Sequence, residues 1–264
     1  MSGPSVQQAK TGAATDVNNA VALKRLVEIM RRLRDPVLGC EWDRAQTFAT
    51  IAPFTIEEAY EVADAIARND MDALVEELGD LALQVVFHTQ MACDLGAFTL
   101  SDVLVGISDK LERRHPHIFG EADHSPGWEI LKAAERAQKS SDPSALAGVA
   151  LALPALERAD KLQRRAERTG FDWPDAKGPR DKVLEELNEI AQARTDAERA
   201  DEVGDLLFAA VNYARHLKVD PEAALRAASA KFERRFRAIE TAPGFAELDL
   251  EAKEALWTAA KRST

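Results

Sequence analysis

Cysteine, histidine and aromatic side chains are scarce in this 264-residue chain, and each scarcity removes a class of protein. Two cysteines, Cys40 and Cys93, cannot form a disulfide framework and fit a reducing cytoplasm. The five histidines show no paired spacing that recurs along the chain, so none is assigned catalysis. His115 and His117 flank Pro116 and read as the cap of a helix end. Aromatics make up only 6% of the residues, while Ala, Leu, Glu and Arg abound, which favours helix over strand. Net positive charge is also missing: the formal balance of −11 argues against a nucleic-acid polymer as partner. No run approaches 18 apolar residues, and the start of the chain lacks a charged-then-apolar signal pattern. A soluble, cytoplasmic protein without a membrane partner is therefore expected. No G-x-x-x-x-G-K-[ST] loop is present, which excludes a P-loop enzyme.

What is there is helical and duplicated. Residues 1–18 are small, polar and aperiodic and read as a disordered lead-in. Helical spacing then predicts helices over 21–33, 54–67, 72–94 and 102–114. A Gly/Pro-rich connection around 121–150 carries one short possible helix near Trp128–Gln138. A second series is predicted over 153–169, 182–193, 198–217 and 221–240. Within it the loop Gly170–Asp175 echoes Gly39–Asp43 in kind. The resulting organisation is an all-α protein with two helical domains, 19–120 and 151–264.

The repeat is acidic. Glu57-Glu58-x-x-Glu61 followed by Glu77-x-x-Asp80 returns as Glu185-Glu186-x-x-Glu189 followed by Glu202-x-x-Asp205. Carboxylates three apart project from one helix face, so two such helices side by side would converge four acids on one point. Glu on a helix is ordinarily a solvated residue. Asp80 and Asp205, however, sit within apolar stretches, Leu78–Leu83 and Val203–Val211, which predicts burial of most of those helices. Buried acids need a compensating cation, and an all-oxygen donor set favours Mg²⁺, with Mn²⁺ as a substitute. A di-iron bundle would need Glu-x-x-His on two helices. Glu112-x-x-His115 supplies one, but Phe236 stands at the matching place in the second copy. Gly79 and Gly204, one residue before each Asp, are expected to let a neighbouring helix pack closely.

Basic residues accompany the acids. Lys231, Arg234 and Arg235 share a helix face, and Lys182 lies one turn before Glu186. Taken singly these are ordinary ion-pairing residues. Beside a cation site they form a set suited to a triphosphate.

These motifs, together with Lys231-Phe-Glu-Arg-Arg-Phe236, Trp42-Asp43 with Gln46-Thr47-Phe48, and Gly204-Asp-Leu-Leu-Phe208, closely resemble the MazG family of all-α nucleoside triphosphate pyrophosphohydrolases. The resemblance covers about residues 20–264. It implies Mg²⁺-dependent hydrolysis of NTPs and dNTPs between the α- and β-phosphates, giving a nucleoside monophosphate and pyrophosphate, by a homodimer. Carried over, Glu186, Glu189, Glu202 and Asp205 would be metal ligands in the second copy, and Glu58, Glu61, Glu77 and Asp80 in the first. Lys182, Lys231 and Arg235, with Arg234 beside them, would hold phosphates. Glu185 or Glu57 would position or deprotonate the attacking water. Trp257 either stacks on the base or docks the chain end into the core. Two further readings stand beside this one: an all-α dUTPase-like enzyme with narrow base selection, and a non-catalytic nucleotide-sensing or protein-interaction bundle. The second copy is expected to do most of the catalysis.

Overall fold

The computed structural model describes residues 6–120, 131 and 142–262, and among these only helices and their connections occur. The chain divides into two compact units, Met1–Trp128 and Glu129–Thr264.

The first unit contains α1 (Val6–Leu33), α2 (Glu41–Ala45), α3 (Phe48–Arg68), α4 (Met71–Asp94), α5 (Leu100–Arg114) and α6 (Pro116–Phe119). Residues 6–18, expected to be a disordered lead-in, are instead the first turns of α1. That stretch holds Gln, Ala and Lys and no proline, so a helix nucleated at the apolar positions from Val21 onward can propagate backward through it, with Gly12 the costliest step. Helix α3 starts six residues before the expected Phe54. Pro53 was expected to lie outside it, but falls within the helix. A capping box at Thr47–Thr50 fixes the start: the Thr47 hydroxyl accepts from Thr50 N–H, and Thr50 Oγ1 accepts from Thr47 N–H. Asn69, in the left-handed region at φ 54°, ends α3, and Asp70 caps α4 by accepting from Ala73 N–H. Two residues thus reverse the chain and lay α4 antiparallel on α3. Met30 from α1, Ile51 from α3, and Val86, Phe87 and Met91 from α4 make the core. Arg34 latches α1 to α4 through Asp94 (2.7 Å) and donates to Asp43 O.

The second unit repeats the hairpin. It comprises α7 (Ala155–Glu167), α8 (Lys177–Gln192), α9 (Asp196–His216), α10 (Pro221–Glu240), a 3-10 turn (Phe245–Glu247) and α11 (Leu250–Arg262). Thr195 and Glu198 form the capping box that starts α9, three residues after α8 ends. Helix α7 packs on α9 and α10, and α11 returns along α10. Trp257 on α11 meets Phe232 at 5.2 Å between ring centroids, so this Trp docks the last helix onto α10. His115 caps the end of α5 through Nδ1 and Leu111 O, at 2.7 Å. The short helix expected near Trp128–Gln138 lies, apart from residue 131, outside the described residues. No described helix is long and apolar enough to cross a membrane.

Candidate metal and nucleotide site

The two hairpins place the acidic motifs opposite each other. Glu61 lies eight residues before the Asn69 turn and Glu77 eight after it, so at 1.5 Å per residue both stand at about the same height. Carboxylate oxygens of Glu58, Glu77 and Asp80 all come within 4.8 Å of one another, and so do those of Glu186, Glu189 and Glu202. The fourth acid of each set acts on the same cluster. Glu61 hydrogen-bonds with and repels Glu58 and Glu77, and Asp205 repels Glu202.

Crowding perturbs these acids. Burial, then the charges of Asp80 and Glu61, push Glu58 above the usual carboxylate range, and burial followed by Glu61 and Asp80 does the same to Glu77. Glu202 is raised by burial and by Glu189, Glu186 and Asp205. Glu186 is the exception: it is 1% exposed, and the Lys182 ammonium, donating to Oε1 at 2.6 Å, holds it low. Glu189 shares a hydrogen bond with Glu186 and is raised by it. Lys182 also donates to Glu185 (2.8 Å) and stands 3.9 Å from Glu189; Glu185 and Glu186 raise its own pKa. Glu186 Oε2 is buried without a hydrogen-bond partner. An orphaned carboxylate oxygen among converging acids fits a hard divalent cation: its charge offsets the repulsion and its coordination shell takes oxygen donors.

Several expectations need correction. Asp80 and Asp205 are exposed, not buried, as are Leu78, Val203, Leu207 and Phe208 around them. The buried acid is Glu186, which contributes from α8 and not from the apolar helix. The close helix packing expected at Gly79 and Gly204 is not made: a Cβ at either would meet no atom within 4 Å among the described residues. The apolar pattern of α4 and α9 thus marks surfaces that the chain leaves open. The leading acids stand outside the clusters. Glu185 is exposed and pairs with Lys182, and Glu57 is exposed on α3. Lys231, Arg234 and Arg235 lie on α10 and, with Trp257, are not part of the lining of the cavity next to the second cluster.

That cavity, about 690 Å³, was not foreseen. Lys182, Glu186 and Asp205 line one part of it; Phe171, Trp173, Gln163, Asn212 and Arg215 line the rest. Trp173 rests on the first turn of α8, where a Cβ on Gly178 would stand 2.1 Å from the Trp173 ring, so only glycine admits this seat. Arg215, nearly fully buried, holds the preceding loop by donating to Asp172 and to Glu167 (2.9 Å), and also donates to Asn212 Oδ1. The repeat carried a signal for this cavity. At the spacing that relates Asp80 to Asp205, Phe87 in the first copy corresponds to Asn212 in the second. Phe87 is buried under an edge contact from Trp42, whereas Asn212 opens onto the cavity. The lysine position differs too: Phe54 stands four residues before Glu58.

The comparisons agree with this architecture. Residues 46–119 match the family model of the MazG nucleotide pyrophosphohydrolase domain. A nucleoside triphosphate pyrophosphohydrolase from Escherichia coli K12 is 52% identical over 256 residues, covering 91% of this chain and 97% of that protein. The nucleoside triphosphate pyrophosphohydrolase/pyrophosphatase MazG of Thermotoga maritima is 45% identical, over 91% of this chain and 96% of its own length. A third such enzyme, from Mycobacterium tuberculosis, is 36% identical over 60% of this chain and 49% of that protein. Two acidic helical hairpins and relatives of this closeness along nearly the full length have one meaning: the chain belongs to the MazG nucleotide pyrophosphohydrolase family.

Proposed function

We propose that this protein hydrolyses nucleoside triphosphates and deoxynucleoside triphosphates between the α- and β-phosphates, releasing a nucleoside monophosphate and pyrophosphate, in nucleotide-pool cleaning or control. The observation that carries this is the second acidic cluster, whose orphaned Glu186 oxygen and paired Lys182 share a cavity with aromatic and amide side chains. Mg²⁺, or Mn²⁺ in its place, would be held by Glu186, Glu189, Glu202 and Asp205. When bound it supplies Lewis-acid stabilisation of charge on the phosphates. Lys182 would present a point charge to the same anion, and Glu185, one residue before the cluster's Glu186, would orient the attacking water. Lys231, Arg234 and Arg235, on α10 outside the cavity lining, are proposed to meet the departing pyrophosphate. Trp257, engaged with Phe232, serves the chain end.

The second unit carries the turnover in this reading, because there a lysine and a cavity adjoin the acids. The first cluster, with Phe54 and Phe87 at the matching positions, binds a cation without a nucleotide. Glu189→Ala should lower kcat by at least a hundredfold with NTPs and Mg²⁺, while Glu61→Ala keeps most activity. Product analysis must show pyrophosphate. Loss only in Glu61→Ala would place catalysis in the wrong unit, turnover confined to dUTP would favour a narrow dUTPase, and Mg²⁺ binding without turnover a sensing bundle.

The working unit proposed is a homodimer in a cytoplasmic setting. Leu184, Leu187, Val203, Leu207 and Phe208 form an exposed apolar surface on α8 and α9, which a second copy would cover.

A further inference from the structure

The Lys182 ammonium sits among the acids of the second cluster. It donates to Glu186 Oε1 at 2.6 Å and to Glu185 Oε1 at 2.8 Å, and stands 3.9 Å from Glu189 Oε2. Glu186 and Glu189 are two of the three acids whose oxygens converge within 4.8 Å. The lysine therefore draws on the same carboxylates that a divalent cation needs. An ammonium matches them poorly. It brings one charge and three protons, whereas a hard divalent cation brings two charges and takes six or more oxygens. Even with the lysine in place, Glu186 Oε2 is buried without a hydrogen-bond partner.

The two partners differ in freedom. Glu186 is enclosed, whereas the Lys182 side chain is 36% exposed. A flexible four-carbon stem can carry the ammonium away, and an enclosed carboxylate cannot follow it. In the first unit Phe54 stands at the matching position, four residues before Glu58, and supplies no charge. We propose that Lys182 is a built-in counter-ion, which occupies the second cluster in the metal-free protein and is exchanged for the divalent cation, whose binding frees the ammonium for an anionic ligand. Before the cation arrives, the lysine keeps the enclosed Glu186 from standing as an uncompensated charge. After it arrives, the acids no longer compete for the lysine, so cation and anion each strengthen the binding of the other. The inference rests on the cation-binding part of the function proposed for the same site.

The test reads the lysine itself, without nucleotide. The full chain carrying Glu58→Gln and Glu77→Gln, which silence the first cluster, is treated with a dilute amine-acetylating ester, and each lysine is followed by peptide mass spectrometry. Lys182 should react about tenfold faster in saturating Mn²⁺ than in chelator, while Lys161, paired with Glu157 on α7, reacts equally in both. Mn²⁺ affinity, measured by electron paramagnetic resonance, should rise about tenfold in Lys182→Met. It should stay within about twofold in Arg180→Met, which removes an equal charge engaged by Asp181 outside the cluster. A Lys182 rate indifferent to bound Mn²⁺, or equal tightening in both variants, overturns the exchange. Should Lys182→Met fail to fold, the labelling of Lys182 decides. Lys182 released by Mn²⁺ in a protein without NTP turnover leaves this inference standing and sinks the hydrolase. Turnover with a Lys182 rate unmoved by Mn²⁺ sinks the inference alone, and a cluster that binds no Mn²⁺ sinks both.

Discussion

Glu186 and Glu202 show how unlike two carboxylates in one cluster can be. Glu186 is enclosed and held low by Lys182, whereas burial and three neighbouring acids push Glu202 up. A carboxylate whose pKa is raised on folding binds its proton more tightly folded than unfolded. Its ionisation, as pH climbs past the ordinary range, opposes folding. At neutral pH the cation-free cluster is therefore a strained arrangement. Glu202→Gln should raise the melting temperature of the metal-free protein by about 2 °C. Adding Mg²⁺ should raise it in the parent and much less in the variant, measured by scanning calorimetry. A parent melting temperature indifferent to Mg²⁺ would count against the cation site.

At the scale of elements, the helix hairpin is the device that makes the site, and much of it was readable in advance. The E-E-x-x-E and E-x-x-D spacings place their acids on one face of each helix, and a connection of two or three residues leaves α3–α4 and α8–α9 no choice but to pack side by side. The starts were harder to read. Helix α3, with Pro53 inside it, starts six residues before the expected Phe54, at the Thr47–Thr50 capping box. The loop before α8 was legible only as an echo of an earlier one. Its role emerges from Asp172, which joins it to Arg215 and His216 on α9. Burial raises the Asp172 pKa, but hydrogen bonds from Arg215 and His216 outweigh it and leave the group below its usual value of 3.8. With a lowered folded value, the stabilisation is complete above that ordinary value and is lost as pH falls below it. Asp172→Asn should destabilise the protein by about 2 kcal/mol at pH 7, from the loss of hydrogen bonds to a charged group. That difference should shrink progressively below pH 3.8 in urea titrations; a pH-independent difference would refute the linkage.

For the whole molecule, the apolar surfaces left open are the main consequence. Sequence reasoning took the apolar stretches around Asp80 and Asp205 as a sign of burial, and within the chain they are exposed. Hydrophobic periodicity reports that a face must be covered, without reporting by what. If a second copy covers α8 and α9, Leu207→Glu should weaken self-association at least tenfold. It places a charge where each buried Leu would contribute about 2 kcal/mol. Sedimentation velocity would show a lighter species with unchanged helical content; a parent that is already monomeric would remove the dimer from the account.

The sequence alone determined the helical class, the duplication, the acidic motifs and the family, because these depend on composition and on spacing along a helix, both local properties. Only the tertiary structure decided which acid is enclosed, and that one repeat closes over Phe87 while the other opens around Asn212. Those outcomes depend on residues far apart in the chain meeting across helices: Phe87 meets Trp42 in the first unit, and Asn212 lines a cavity with Gln163, Phe171 and Trp173 in the second.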